Sequence, residues 1–336
     1  MPPTLCRSRV TGGSQTGAEH LRILASLAIF VLVASASSAQ DRDVRSTQVV
    51  RSSSTLVIVP TLVRSQSGEP IKDLDADHFR LTDNGQEQAI YLEQVENQPV
   101  AVVVLIQTGG AASGELGNYG KLDGVIESIL GSSPSKLALV SFDSHVRQIW
   151  AFPPRVDGLD YALTHQEVGD SGAAIRDAIH YGINLLQNQP VRFRRIVLLL
   201  SQEQDSGSKS SSTEILHDVA RSGATIYSFT FPSNAIRTKS QKVRPRIARS
   251  DQAGIPSSTD PTAAEVAAQS GGENVQFNGE NDLEEKMAMV RDNIRSGYIL
   301  SFRPSSPTLG LHAIQVQVME QTARFKILAR KSYWLD

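Results

Sequence analysis

The chain has 336 residues, 40% hydrophobic and 20% charged, with a formal net charge of −2. It is long enough for a substantial α/β core plus a second small domain. The near-zero charge gives no general case for nucleic-acid binding, and no heptad run or fixed-period repeat is present.

Arg7, Arg9 and Arg22 precede the apolar stretch Ile23–Ala34, which only Ser26 interrupts. Ser37-Ser38-Ala39 then offers small residues for cleavage before Gln40. Basic, then apolar, then small is the order of a secretory signal peptide, here residues 1–39. About a dozen apolar residues are too few to span a bilayer core of roughly 30 Å. Cys6, the single cysteine, would leave with this segment, so the mature chain has neither a disulfide nor a cysteine metal site. The expected address is periplasmic or cell-surface.

Residues 40–98 form an N-terminal β segment. Leu56–Val59 and Thr61–Val63 are strand-like, and Ser65–Pro70 is a turn. Phe79–Thr82 alternates, Asp83-Asn84-Gly85 signals a tight turn, and Gln88–Val95 alternates again with Ile90, Leu92 and Val95 inward. After Pro99, residues 99–296 alternate strand and helix, the pattern of a doubly wound, mostly parallel sheet. Val102–Ile106 is a strand buried on both faces, and helices are expected from Lys121, over Ala173–Leu186 and over Thr213–Arg221. Leu137–Phe142, Ile196–Leu200 and Ala224–Phe229 are further buried strands, with Val146–Phe152 an antiparallel edge. Asp260 and Pro261 are read as N-cap and first residue of a helix that Gly271-Gly272 ends. Val275–Phe277 is a short edge strand and Leu283–Ile294 the last helix. Residues 297–336 return to β, and this C-terminal segment is expected to pair with the N-terminal one in a small sandwich-like domain.

In open α/β sheets the ligand crevice lies at the carboxyl ends of the strands, which gives the turn after Ile106 its importance. Gly109 and Gly114 have phosphate-loop spacing, but Glu115 and Leu116 stand where Lys and Ser/Thr are needed, and Glu115 would repel a phosphate. A dinucleotide turn fails because Ala111 occupies the second glycine position. The seven histidines show no H-x-x-x-H or H-E-x-x-H spacing, which gives no support to a zinc protease. Asp143, Ser144 and His145 hold hydrolase residue types, but adjacent residues do not readily aim at one atom, and neither Ser113 nor Ser201 sits in a G-x-S-x-G elbow.

Seven segments occur in the order seen in one family: Val57–Val63, Gly68–Gly85, VVVLIQT, LALVSFDS, GAAIRDAI, RRIVLLLSQ and GYILSFRPSSP. With them the chain resembles von Willebrand factor A domain proteins, in particular the VWFA-related Acidobacterial domain group. The resemblance implies a metal-ion-dependent adhesion site built from Asp-x-Ser-x-Ser, a Thr and a later Asp. Hard oxygen ligands of this kind suit Mg²⁺ with a position open to a partner carboxylate. Carried over by position, these ligands fall on Gln107, Gly109, Ala111, Ala173 and Gln202. Gly and Ala offer no side-chain oxygen, and a neutral Gln carbonyl is a poor substitute for a carboxylate. The site is therefore expected to be degenerate, with no metal and no cofactor. Glu115, Glu167, Asp170, Glu203 and Asp205 are the nearby acids from which a displaced site would have to be rebuilt.

The functional expectation is an exported, non-catalytic, adhesion-type module that recognises a protein partner without metal, nucleic acid or small-molecule substrate. Its candidate contacts are Gln107, Thr108, Ser113, Asp170, Ser171, Gln202, Glu203 and Asp205, on the loops 107–115, 167–173 and 202–210. Arg237, Lys239, Lys242, Arg244, Arg246 and Arg249 form an acid-free basic loop that suits an acidic partner or anionic envelope surface. Two alternatives are a permanent structural subunit of an envelope complex, marked by an exposed apolar patch, and an envelope hydrolase, marked by converging Ser, His and acid groups.

Overall fold

The computed structural model describes residues 55–95, 98–131, 134–153, 157–232, 260–306, 308–319 and 324–336. The expected signal peptide, Cys6 and the basic residues of 237–249 lie outside them. Among the described residues, no helix is long and apolar enough to cross a membrane.

Four strands precede the α/β region: β1 (Val57–Arg64), β2 (Phe79–Asp83), β3 (Gln86–Glu87) and β4 (Ile90–Gln94). Asn84 and Gly85 both take positive φ, 48° and 83°, so the β2–β3 turn is built on residues that tolerate the left-handed region. The α/β region then runs β5 (Val100–Gln107), α1 (Leu122–Leu130), β6 (Lys136–Phe142), β7 (Val146–Ala151) and α2 (Leu159–Thr164). It continues with α3 (Ile175–Gln187), β8 (Arg194–Gln202), α4 (Ser212–Ser222) and β9 (Thr225–Phe231). Last come α5 (Ala263–Ser270), β10 (Asn274–Gln276) and α6 (Glu280–Arg295).

These strands form a six-stranded sheet in the order β10-β9-β8-β5-β6-β7. Every neighbouring pair is parallel except β6–β7, which is antiparallel at the edge. All eight residues of β5 are buried because both faces of the sheet are covered. Val102, Val104 and Ile106 face a core shared with α1 and α6, while Val103 and Leu105 face one shared with α3, α4 and α5. Counted from β5, the strand order is the doubly wound one, with its switch point between β5 and β8.

Helix ends follow from local side chains. Ser211 accepts from Glu214 N at 3.2 Å while Glu214 Oε2 accepts from Ser211 N at 2.7 Å, a reciprocal capping box for α4. The start of α5 corrects the sequence reading: its N-cap is Thr262, not Asp260. Thr262 and Glu265 make the same reciprocal pair, and Asp260 instead pairs with Arg176 at 2.6 Å. The sequence reading also left out the short α2.

From Tyr298 the chain adds β11 (Tyr298–Phe302), β12 (Gly310–Val318), β13 (Lys326–Ala329) and β14 (Ser332–Leu335), the last also absent from the sequence reading. Two four-stranded antiparallel sheets result, β13-β1-β11-β4 and β14-β12-β2-β3. Each mixes strands from both ends of the chain, as the paired β segments predict. Val59, Leu81, Leu300, Phe302 and Tyr333 lie in their common core.

That core encloses a polar cluster. His312, 1% exposed, has Nδ1 at 2.8 Å from Asp83 Oδ1 and Nε2 at 2.6 Å from Thr308 O. Both ring nitrogens are thus engaged inside the core. Tyr333 donates to Asp83 Oδ2 at 2.9 Å, so the triad ties β2, β12 and β14 together. Burial, and then Asp83, push the Tyr333 hydroxyl above its usual range.

Two arginines join the sandwich to the α/β region. Arg330 Nη2 donates to Ala220 O in the last turn of α4, placing a cation at the negative end of a helix. Burial pushes this guanidinium down to about 10. Arg64 on β1 makes a two-pronged pair with Glu273 at 2.9 and 2.5 Å, and Asn293 donates to the same carboxylate at 3.1 Å. The side chains of Arg64 and Glu273 are 6% and 12% exposed. Truncating Arg64 to Ala would strand a buried carboxylate, so the Arg64→Ala variant should lose about 3 kcal/mol of unfolding free energy in a urea titration. A loss below about 1 kcal/mol, the range of an exposed pair, would show that this contact does not join the two parts.

Candidate functional site

The carboxyl ends of β5 and β8 flank the switch point, where a doubly wound sheet opens its ligand crevice. Gln107 ends β5 and is fully buried; Gln202 ends β8. Gln107 Nε2 donates to Gly109 O at 2.9 Å and to Gln202 Oε1 at 3.1 Å. Gln107 Oε1 accepts from the backbone N–H of Gln202 at 2.8 Å, and Gln202 Nε2 donates to Gln204 O at 2.8 Å. Both amides are spent on each other and on backbone. The resulting bridge is neutral, with both the donor side and the acceptor side of the Gln107 amide engaged.

The loop 169–172 fills the space beside this bridge. Gly110 N donates to Asp170 O at 2.7 Å, and Gly169 N donates to Thr108 O at 3.0 Å. A Cβ on Gly109 would meet Asp170 O at 2.5 Å, Asp143 Cβ at 2.6 Å and Gly172 O at 2.6 Å. A Cβ on Gly172 would lie 2.6 Å from Ser144 Cβ. Backbone therefore occupies the volume that any side chain at position 109 would need. Ala111 packs against the α1–α6 core. Ala173, 1% exposed, is bridged to Ser206 through both its N–H and its C=O, at 2.8 and 2.9 Å.

The remaining candidates separate by burial. Thr108 is 1% exposed and bonds to Phe142 O, and like Gln107 it is buried beneath the rim. Asp205 accepts from Arg176 N at 2.9 Å and from Ser208 Oγ at 2.5 Å, and pairs with Arg176 Nη2 at 3.4 Å. Its carboxylate pins α3 to the 202–210 loop and is not free for a partner. Ser113, Asp170 and Ser171 are exposed at the rim, and Glu203 and Gln202 are half-buried.

The β6–β7 turn adds residues that the sequence reading weighed only as a hydrolase triplet. Asp143, fully buried, accepts from His145 N at 2.8 Å and Asp170 N at 3.2 Å and pairs with Arg147 at 2.8 Å. Ser144 Oγ donates to Asp170 Oδ2 and lies 2.8 Å from His145 Nδ1. Asp170 Oδ1 accepts from Ser144 N at 3.0 Å and Gly172 N at 2.8 Å. Ser, His and acid thus converge, but in the wrong order for a relay. The acid bonds to the serine itself, whereas a triad needs it on the imidazole nitrogen opposite the nucleophile. The signal for this convergence was the Gly169-Asp170-Ser171-Gly172 loop, whose glycines allow the close approach.

No protein-family model matches the chain, and no curated protein matches it. Among solved structures it is similar to proximal thread matrix protein 1 of the mussel byssus, at 13% identity and a TM-score of 0.43, over 61% of this chain and 50% of that one. The chain thus spans about half the length of the mussel protein. It is also similar to an aerotolerance-related membrane protein from Bacteroides fragilis, at 11% identity and a TM-score of 0.41, covering 57% of this chain and 98% of that one. A third is the manganese-loaded TRAP protein of Plasmodium vivax, at 13% identity and a TM-score of 0.37, covering 73% and 98%.

Two outcomes test this geometry. Gly109→Ala forces backbone apart and should destabilise the protein by about 1–3 kcal/mol in urea; unchanged stability would mean that the loop is not packed as described. The hydrogen bond from Ser144, then that from Gly172, hold the Asp170 carboxyl below its ordinary 3.8. A depressed folded value stabilises above the unfolded value and loses that contribution as pH falls through the folded one. Melting curves between pH 2 and 6 should therefore fall less steeply for Asp170→Asn than for the parent, and parallel curves would contradict the assignment.

Proposed function

We propose that the chain is an exported, non-catalytic recognition module of the von Willebrand A type, contacting a protein partner through the loops at the carboxyl edge of its central sheet. The observation that carries this reading is the Gln107–Gln202 bridge at the switch point. It occupies the place where this fold presents a ligand, with two neutral amides bonded to each other in place of charged ligand groups. Two carboxylates would attract a divalent ion; two mutually bonded amides do not. The doubly wound strand order and the seven ordered segments support the same class.

The rim that remains for a partner is polar and small: Ser113, Asp170, Ser171 and Glu203, with Val168 projecting at 65% exposure. Such a surface suits a wet interface centred on one apolar contact. Recognition through it is independent of Mg²⁺ and Mn²⁺. The serine–histidine–acid order beside it supports a non-catalytic role over the hydrolase alternative.

A melting curve in EDTA, repeated with millimolar Mg²⁺, tests this reading. A specific ion at about 100 times its dissociation constant adds roughly 2.7 kcal/mol. The expected result is no change in Tm with Mg²⁺. A saturable rise with Mg²⁺ would overturn the metal-independent reading.

A further inference from the structure

Beside the closed crevice, a different set of ligand-type side chains meets at the rim. Asp143 and His145 from the β6–β7 turn and Asp170 from the loop before α3 each bring one ligand atom within 4.8 Å of the others. None of the three stands at a position where the family resemblance places a metal ligand. Asp143 is buried and fixed, whereas His145 and Asp170 are exposed, so an ion would reach the group from solvent and rest on a rigid base. Ser144 Oγ, 2.8 Å from His145 Nδ1, adds an oxygen between the imidazole and Asp170.

The donor set selects the ion. Mg²⁺ demands near-octahedral oxygen coordination, and an imidazole nitrogen is a poor partner for it. One imidazole with two carboxylates and an open position suits Zn²⁺ and neighbouring transition metals. Charge favours the same outcome. Two carboxylates face the group, and the cation paired with them is Arg147, on Asp143. Among the described residues, no lysine or arginine pairs with Asp170, which leaves an excess negative charge for a cation to neutralise. The Arg147 side chain is 53% exposed and can turn into solvent when an ion takes its place. Glycine packing at 109, 169 and 172 holds the two loops together, so the ligands are organised before any ion arrives.

We propose that Asp143, His145 and Asp170 form a binding site for one divalent transition-metal ion of the zinc class, with its remaining coordination position open to solvent at the rim. This goes beyond the recognition reading and does not depend on it: it concerns a different ion, and only Asp170 is shared with the rim assigned to a partner.

The test is calorimetric titration of the chelator-stripped protein with ZnCl₂ alone, and with CoCl₂ followed by its visible absorption. Saturable binding of one ion per chain is expected, with a Co²⁺ band of a low-symmetry nitrogen–oxygen site. His145→Ala and Asp170→Asn should each weaken zinc binding by at least about tenfold, and His145 is exposed enough for its loss to leave the fold intact. Arg147→Ala removes the competing cation and should tighten zinc binding. Absence of binding to the parent, or binding that both ligand variants leave unchanged, would overturn the proposal. Either failure leaves the Mg²⁺ melting result standing, and a Mg²⁺ response would sink the recognition reading without supplying a zinc site.

Discussion

Strand β5 is covered on both faces, so every polar group at its carboxyl end must find a partner inside the protein. At the switch point this requirement falls on Gln107, whose amide has a donor side and an acceptor side to satisfy. Gln202, at the matching end of β8, answers both: its backbone N–H supplies the donor and its side-chain oxygen the acceptor. A buried amide left unpaired would cost about 1–3 kcal/mol, so the two glutamines hold one another in place. The crevice that the fold would otherwise open is bridged at its floor.

The loops above follow from that closure. Backbone fills the space between them: Gly110 bonds to Asp170, Gly169 bonds to Thr108, and Ala173 and Ser206 form a two-bond bridge. Gly109 and Gly172 permit contacts that no side chain would allow. Asp143 receives the N–H groups of His145 and Asp170 and so locks the β6–β7 turn to the loop before α3. The same compaction that seals one site gathers His145, Ser144 and Asp170 beside it.

Much of the fold was legible because its signals are local and periodic. The apolar run Val102–Ile106, the one-face spacing in α3 and the Asn84-Gly85 turn each follow from few-residue rules. The pairing of the two β segments was readable because β patterns flank the α/β region at both ends of the chain. What escaped depends on the third dimension. Asp260-Pro261 is a good local start for a helix, but Arg176 draws Asp260 away and the Thr262–Glu265 box takes over. The short strand β14 has too few residues to show a period, and α2 is scarcely longer than one turn.

At the site, the absence of carboxylate and hydroxyl side chains at Gln107, Gly109, Ala111, Ala173 and Gln202 could be read residue by residue. The closure could not. That Gly109 faces backbone at 2.5 Å, or that His145 and Asp170, 25 positions apart, share a serine, is a property of loop packing. Arg330 and His312 escaped for a related reason, since a lone polar residue in sequence gives no sign of the partners that bury it.

On this reading the amide bridge and packed loops leave no divalent-ion site between β5 and β8. Anomalous diffraction from crystals grown in millimolar Mn²⁺ tests it most directly. The account predicts no anomalous peak within coordination distance of Gln107 or Gln202, with their side chains bonded to each other. A peak between those two side chains, with the bridge opened to receive it, would contradict it.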